Sequence, residues 1–433
     1  MSVHYVPAGG EAYSRVNLQL AITNKPNAKE VTYFGDKYKE WQTLDRTVAL
    51  VAKSHVNGRN VKATADVVVP LYNSTFIQAC GLTKVLANPI HGPFVKAPFE
   101  AKGIESIIDS GGFQLAKETV TFVDPDEVAR GYNTTASIGM PLDLPVRAKV
   151  EDTFFDPVTL LIKANDERIL SQLNKGISLA LISHGSTLSY RKRRLDVLDR
   201  PADVVAVAGL QHSPLHSDKE FNNVENLMYV LHRYRKTTRY FHVLGVTSKL
   251  WLFVYSVIDA LGYVKEIGGD SVSHRLGALV GEYDTPDFEA ISLKKAETYR
   301  QQLSCNCPIC VSIDDTRIIH NSLLLECHNL WVRSHQTQTL GSMARSYVAG
   351  TLPLRVVYDA LRLRIGMSKF QHIVHYVEEI IASGKYRPIK AEKTNKSLFA
   401  SVRPSGVSRG PMYDHYVNVL RRYEKFHKQK FLR

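Results

Sequence analysis

The stretch Ile107-Ile108-Asp109-Ser110-Gly111-Gly112-Phe113-Gln114 decides how the chain is interpreted. The apolar residues 104–108 predict a buried strand, because a short apolar run that stops at a glycine pair is typical of one. Gly111-Gly112 allows a sharp turn or a close approach to a ligand, since glycine has no Cβ. Asp109 is then expected in a ligand site at the carboxyl end of the strand. The alternative is an ordinary strand-to-helix turn in which Asp109 caps the next helix.

Short apolar or β-branched runs recur from Asp66 to Asp270, each followed by a helix-compatible stretch. They are Val67–Leu71, Ile104–Ile108, Ile138–Leu142, Ile177–Ile182, Val204–Val207, Phe241–Leu244 and Tyr263–Ile267. This alternation predicts an α/β fold, a TIM-type (β/α)8 barrel of parallel strands, with a doubly wound open sheet as the alternative. Active-site groups are expected where such strands end, at Asn73, Ser74, Asp109, Ser110, Asp143, His184, Gly185, Gly209, Leu210, Gly245, Gly269 and Asp270. The sequence has neither a dinucleotide-binding glycine pattern nor a GxxxxGK[ST] phosphate loop.

Four of the five cysteines lie in one short region of the sequence. Cys305, Cys307 and Cys310 form a CxCxxC knuckle, and Cys327 is followed directly by His328. Three thiolates and one imidazole complete the tetrahedral set of a structural zinc site. We predict Cys305, Cys307, Cys310 and His328 as the ligands. Cys327 is the rival fourth ligand, because adjacent helix residues point about 100° apart and only one can face the knuckle.

The charge of the chain is +13 and is concentrated near its end. Residues 385–433 contain thirteen Lys or Arg and three acidic residues, so this segment carries +10 of the +13. Interleaved aromatic residues favour a folded or nucleic-acid-bound segment over a solvated tail. A second basic cluster, residues 189–194, is interpreted as the solvated face of a helix. No apolar run approaches membrane-spanning length and no secretory pattern opens the chain, so we expect a cytoplasmic protein, in the host cytoplasm if phage-encoded, with no membrane partner.

The motif at Asp109–Gln114, the cysteine knuckle and His328-Asn329-Leu330 together resemble the tRNA-guanine transglycosylase superfamily over residues 65–335. These are zinc-containing barrel enzymes that exchange a guanine in nucleic acid for a 7-deazaguanine. The resemblance implies that Asp109 is the general acid/base and that Asp270 is the nucleophile. It also implies substrate-binding roles for Ser110, Phe113, Gln114, Asp143, His184, Gly185, Gly209 and Leu210.

Three segments depart from the pattern of the tRNA enzymes. His184-Gly185 stands where the family has Gln-Gly, Gln211-His212-Ser213 replaces the end of the Gly-Gly-Leu motif, and Ser273-His274-Arg275 replaces a Pro-Thr-Arg run. Such changes resemble the divergent branch that inserts 7-deazaguanines, such as the 7-cyano form, into DNA in phages and bacterial DNA-modification clusters. The alternatives are a tRNA-guanine transglycosylase of the queuosine or archaeosine type and a non-catalytic, zinc-stabilised nucleic-acid-binding member.

The chemistry of base exchange agrees with a pair of carboxylates. One glycosidic bond must break and reform, and two carboxylates can do this by double displacement. Asp270 is predicted to attack C1′, and Asp109 to move the proton between leaving and incoming bases. Phe113 is a candidate stacking face for the flipped nucleotide. Two alternatives for Asp270 stay open, namely a turn aspartate after Gly268-Gly269 and an alignment shifted onto Ser273.

The expected partners are therefore nucleic acid, with DNA favoured and tRNA as the alternative, and a free 7-deazaguanine base. A homodimer or a partner protein is a further option. The predicted organisation is an N-terminal segment (1–64), a catalytic barrel (65–300), a zinc-binding subdomain (301–335), a helical segment closing the barrel (336–384) and a basic, mainly helical C-terminal extension (385–433).

Overall fold

The structure is a computed structural model that describes residues 3–8, 55–56, 59–60, 74–88, 94, 96–117, 120–146, 150–185, 187–210, 219–292, 305–307, 310, 322–389 and 411–432. The strands are β1 (Val3–Pro7), β2 (His55–Val56), β3 (Arg59–Asn60), β4 (Lys84–Ala87), β5 (Glu105–Ile108), β6 (Ile138–Gly139), β7 (Ser178–Leu179), β8 (Leu181–Ser183), β9 (Val204–Val207), β10 (Tyr240–Val243), β11 (Ile267–Ser271), β12 (Glu282–Asp284) and β13 (Ala290–Ser292). The helices are α1 (Ser74–Ala79), α2 (Ala97–Glu100), α3 (Gly112–Ala116), α4 (Pro125–Thr135), α5 (Glu151–Leu170), α6 (Leu188–Leu198), α7 (Lys219–Tyr234), α8 (Lys249–Ala260), α9 (Ser273–Leu279), α10 (Ser322–Val348), α11 (Leu354–Leu361), α12 (Met367–Ser383) and α13 (Pro411–His427).

Two parallel sheets form the centre of the molecule. The first has the order β1-β11-β10-β9-β8 and the second the order β4-β5-β6-β7. Every pairing within these sheets is parallel. Helices alternate with these strands along the chain, so the predicted α/β class with parallel strands is confirmed. Because parallel strands share one direction, the carboxyl ends within each sheet lie at one edge.

The edges of the two sheets come together at two places. Ala8, directly after β1, makes a parallel bridge to Leu86 of β4. At the other edge only Ala180 separates β7 from β8, and its N–H donates to the carbonyl of Gly139 at 3.0 Å. The chain therefore passes from one sheet into the other without a turn.

The apolar runs predict several strands to within one residue. The runs 104–108, 204–207 and 241–244 correspond to β5, β9 and β10, whose buried positions explain their apolar composition. The run 263–267 overlaps β11 by one residue only, since β11 begins at Ile267, where that run ends. The run 67–71 lies outside the described residues. The sequence does not predict β1 or β4.

Helix α13 belongs to the predicted basic extension, and it is bound to the body of the protein. The side chains of Tyr416 and Tyr423 are fully buried. Tyr416 donates its hydroxyl proton to the carbonyl of Pro145 at 2.6 Å, and Tyr423 donates to that of Val123 at 2.8 Å. No helix within the described ranges is long and apolar enough to cross a membrane.

Candidate active site and metal centre

Asp109 follows directly on β5, as predicted. Its backbone N–H donates to the carbonyl of Ala87, and its Oδ2 accepts a hydrogen bond from the side-chain amide of Asn88, both at 2.8 Å. Burial raises the pKa of the carboxyl, while the N–H groups of Gly111 and Ser110 and the Asn88 amide oppose that rise. Those two N–H groups precede α3, so Asp109 also stabilises the turn into that helix.

Asp270 lies in β11, one residue before the strand ends. The two preceding glycines are within the strand rather than in a turn. A Cβ on Gly268 would lie 2.6 Å from the carbonyl oxygen of His4, and one on Gly269 would lie 2.7 Å from that of Val246. Glycine is thus required for β11 to approach its neighbours. The alternative of a turn aspartate after Gly268-Gly269 does not fit this placement.

A histidine from the neighbouring strand holds the Asp270 carboxylate. His242 of β10 is fully buried, and its Nε2 lies 3.1 Å from Asp270 Oδ1. The Gly245 N–H donates to the same oxygen at 2.9 Å, and the Tyr240 hydroxyl lies 2.8 Å from His242 Nδ1. In the tautomer that satisfies both ring contacts, Nε2–H donates to Asp270 and Nδ1 accepts from Tyr240. Both contacts of the carboxylate involve Oδ1, which makes Oδ2 the candidate attacking oxygen.

Asp109 and Asp270 come from different sheets but interact electrostatically. The negative charge of Asp270 raises the pKa of Asp109 beyond the effect of burial. A carboxyl group whose pKa is raised by burial and by a negative charge is suited to donate a proton. The arrangement is therefore suited to one acid/base and one nucleophile.

The turn after Asp109 packs against the segment that contains Asp143. The Ser110 hydroxyl donates to the carbonyl of Pro141 at 2.8 Å. A Cβ on Gly112 would lie 1.6 Å from the backbone oxygen of Asp143, so only glycine lets α3 begin against this segment. Burial raises the pKa of the Asp143 carboxyl, and Arg194 of α6 opposes that rise through an Nη1 to Oδ1 contact of 3.3 Å.

The predicted pair His184-Gly185 follows β8, and Gly209 follows β9. Gly209 has φ = +76°, and a Cβ there would lie 3.2 Å from Nε2 of His184. Arg191 connects the two strand ends, since Nη1 donates to the Ser183 carbonyl at 2.8 Å and Nη2 to that of Ala208 at 2.5 Å. His184 and Gly209 are thus held in contact by a buried arginine.

The remaining predicted residues lie close by in sequence. Gln114 is half-buried in α3, and the backbone of Phe113 belongs to the same helix, while its side chain lies outside the described part. Leu210 is 1 % exposed and its side chain belongs to the core, while its predicted role in substrate binding stays a prediction.

Cys305, Cys307, Cys310 and His328 form a cluster that can hold a metal ion. Their ligand atoms all lie within 4.8 Å of one another. His328 Nδ1 lies 3.3 Å from the sulfurs of Cys307 and Cys310 and 3.7 Å from that of Cys305. Tetrahedral ligands at about 2.3 Å for sulfur and about 2.0 Å for nitrogen would be roughly 3.5 Å apart, so the spacing fits zinc.

The second ring nitrogen of His328 fixes the orientation of the imidazole. Nε2 lies 2.8 Å from the carbonyl oxygen of Asp284, and donation there leaves the Nδ1 lone pair directed at the sulfurs. This contact is typical of metal-bound histidine. Cys327, the rival ligand, is buried elsewhere and is not part of the cluster.

Helix α10 connects the cysteine cluster to the segment after Asp270. Asn329 accepts from the N–H of Asp284 at 3.0 Å and donates to the carbonyl of His274 at 3.3 Å. Arg333 binds the Asp284 carboxylate through Nε and Nη2, and it donates through Nη1 to the Ser273 hydroxyl at 2.5 Å. The helix that carries His328 therefore supports the chain three residues beyond Asp270.

Four residues at this site escape the sequence-based prediction: Asn88, Arg191, Arg194 and His242. The prediction of a solvated helix face for residues 189–194 is wrong at two positions, because Arg191 and Arg194 are fully buried, whereas Lys192 and Arg193 are exposed. The available signal was the spacing of these two arginines with Leu195 and Leu198, which places all four on one helix face. His242 had no such signal, because it lies within an apolar strand.

No protein-family model matches the chain, and no curated protein shows significant similarity to it. The functional interpretation therefore depends on the residues and their geometry.

Proposed function

We propose that the protein is a nucleic-acid guanine transglycosylase that exchanges a guanine in DNA for a 7-deazaguanine. The observation that carries the proposal is that Asp109 and Asp270 both lie at the carboxyl ends of parallel strands, with the Asp270 carboxylate held by His242 and Gly245. The Cys3His cluster and the motif around Asp109 agree with the family resemblance.

We also propose that the two sheets close into one TIM-type barrel. The bridge between Ala8 and Leu86 and the continuous passage through Ala180 support closure. If β7 and β8 count as one strand, the parallel strands of the described residues then number eight. Closure would explain why Asp109 and Asp270 interact, because the carboxyl ends of all strands would form one rim.

In the proposed reaction, Asp270 Oδ2 attacks C1′ of the target nucleoside and displaces guanine, forming a glycosyl ester. Asp109, kept protonated more readily by burial and by Asp270, donates a proton to the leaving base. It then accepts one from the incoming 7-deazaguanine, whose nitrogen attacks C1′ and releases Asp270. The hydrogen bonds from His242 and Gly245 orient the nucleophile throughout.

Zinc is proposed as the resident ion of the Cys305, Cys307, Cys310 and His328 cluster. A closed Cys3His set leaves no position for water, so the ion would supply structural stability. Its contribution to the reaction is to hold α10 against Ser273 and Asp284.

The exposed side of α13 is proposed to contact the phosphate backbone. Tyr416, Val419, Leu420 and Tyr423 bury one face of this helix, and Arg421, Arg422, Lys425 and Lys428 lie exposed. DNA remains favoured over tRNA because the segments at Gln211 and Ser273 depart from the pattern of the tRNA enzymes.

The deciding experiment offers radiolabelled guanine and labelled 7-cyano-7-deazaguanine separately to duplex DNA and to bulk tRNA. Label in DNA supports the proposal, whereas label in tRNA alone would return the protein to the tRNA class. Asp270→Asn and Asp109→Asn should each abolish exchange. Asp270→Asn should leave no adduct that resists denaturation, because it removes the oxygen that forms the ester, whereas Asp109→Asn should slow formation of the adduct without removing the group that forms it. Asp156→Asn, a change at an exposed carboxylate on α5, is the matched control. Nucleic-acid binding without exchange by the zinc-loaded wild type would favour the non-catalytic alternative.

A further inference from the structure

A cavity lies beside the active site and is separate from the two predicted carboxylates. Its volume is about 630 Å³, within the roughly 300–1,000 Å³ typical of ligand pockets. The wall is formed by the first turn of α8, by α10 and by the residues after α11, with Trp251, Phe288 and Leu340 as apolar parts.

The loop from β10 to α8 connects this cavity to the nucleophile. Gly245 donates its N–H to Asp270, and Thr247 and Ser248, two and three residues later, line the cavity. A Cβ on Gly269 would also lie 3.1 Å from Cγ2 of Thr247. A ligand in the cavity would therefore lie next to the segment that orients Asp270.

Positive charge exceeds negative charge in the wall. Four cations, Lys249, Arg333, Arg362 and Arg364, face two carboxylates, Asp284 and Glu289. Arg333 is paired with Asp284, and Arg362 with Glu289. Lys249 donates to the carbonyl oxygens of Phe288 and Leu361, and exposed Arg364 makes no hydrogen bond or ion pair within the described part of the chain. Neither cation therefore forms an ion pair with a carboxylate among the described residues, although the Asp284 charge acts on Lys249.

The first turn of α8 adds further donors. Ser248 is its N-cap and makes no side-chain capping bond, so the leading N–H groups of the helix stay available. Ser248, Lys249, Leu250 and Trp251 of this turn all line the cavity. Helix N-termini attract anions through these N–H groups and the helix dipole. Burial lowers the pKa of Lys249; the Asp284 carboxylate opposes that shift, and Arg362, Arg333 and Arg364 add to it.

We infer that this cavity is an anion site that takes a phosphate-bearing ligand. The phosphate belongs either to the backbone of the nucleic acid beside the target nucleotide or to a free nucleotide. Anion binding stands on the cavity alone, whereas its assignment to the nucleic acid rests on the proposed function.

The test uses the full-length, zinc-loaded protein and two probes. Calorimetry measures the affinity for inorganic pyrophosphate, and fluorescence anisotropy measures the affinity for a labelled duplex DNA. Arg364→Glu is the informative variant, because the side chain is exposed and makes no hydrogen bond or ion pair within the described residues, so we expect the variant to fold. Arg345→Glu, on the exposed side of α10, is the matched control, since its only described side-chain contact is with Ser342.

Arg364→Glu should weaken pyrophosphate binding about three- to tenfold, as expected for reversing one exposed charge, while Arg345→Glu should change it by less than about twofold. Weaker DNA binding in the same variant assigns the site to the backbone. Unchanged DNA affinity assigns it to a free nucleotide and overturns the nucleic-acid assignment. An absence of pyrophosphate binding by the wild type, or an equal loss in both variants, overturns the anion site. Neither binding measurement depends on base exchange, so failure of the anion site can be distinguished from failure of the proposed enzyme activity.

Discussion

Replacing Arg194 by methionine removes the cation that faces the buried Asp143 carboxylate. Arg194 is fully buried and Asp143 is 7 % exposed, with 3.3 Å between Nη1 and Oδ1. Breaking one side of a buried ion pair costs about 3–5 kcal/mol. Nε and Nη2 of Arg194 lack acceptors among the described residues, and removing two such donors returns about 1–2 kcal/mol. We expect a net loss of about 1–4 kcal/mol in the free energy of unfolding at pH 7.

The loss should depend on pH with a defined sign. Burial raises the folded-state pKa of Asp143, and Arg194 opposes the rise, so the variant has a still higher folded pKa. When the pKa of a carboxyl group is higher in the folded state than in the unfolded state, the protein becomes less stable as pH rises from the unfolded pKa, about 3.9, through the folded pKa. The deficit of Arg194→Met should therefore be smallest near pH 4 and largest at pH 7.

Urea unfolding of the wild type and the variant at pH 4, 5, 6 and 7 measures this effect. Arg193→Met is the matched control, because the adjacent Arg193 pairs with Asp156 on the surface and should cost less than about 1 kcal/mol. Adding Asp143→Asn should recover most of the deficit at pH 7. An equal deficit at pH 4 and pH 7 would show that packing, rather than charge, explains the loss.

Three further predictions follow from the site. His242→Gln should lower kcat for base exchange about 10- to 100-fold with little change in KM, because the Asp270 carboxylate loses its orientation. His328→Ala should release about one equivalent of zinc, measured by mass spectrometry, and lower the Tm, whereas Cys327→Ala should retain the metal. The triple variant Arg421→Gln, Arg422→Gln, Lys425→Gln neutralises the exposed face of α13. It should reduce the slope of log K against log [salt], where K is the association constant for DNA, by about 2–3.

Each of these predictions has an outcome that contradicts it. A change in KM alone for the His242 variant would mean that the histidine acts on binding. Full metal occupancy in the His328→Ala variant would favour Cys327 as the fourth ligand. An unchanged salt slope would show that α13 does not contact the nucleic acid and that its role is in packing.

The sequence predicts the central strands well because those strands are buried on both faces. All four residues of β9 are buried, so the strand appears in the sequence as a continuous apolar run. The sequence does not predict β4, where Lys84 is 3 % exposed and is paired with Glu105 and Glu266. A buried lysine is acceptable only with such partners, and they lie far away in sequence.

Sequence patterns describe local features, and this explains which residues of the site could be predicted and which could not. Asp109 and the cysteine cluster are predictable because their features are local in the sequence. The pairing of His242 with Asp270 and that of Arg194 with Asp143 join residues 28 and 51 positions apart. Such contacts depend on strand order and helix placement, which local patterns do not encode. The glycine pair before Asp270 illustrates this, since it predicts a turn locally but allows close strand packing in the fold.

Elements from the C-terminal half of the chain support the two carboxylates from different sides. Helix α10 contacts Ser273 and Asp284, beyond Asp270, whereas α13 contacts Leu115 and Pro145, beyond Asp109 and Asp143. The metal cluster anchors the first helix and buried tyrosines anchor the second. Loss of either anchor should therefore disturb one carboxylate more than the other, so zinc removal should affect formation of the covalent adduct at Asp270 before it affects proton transfer by Asp109.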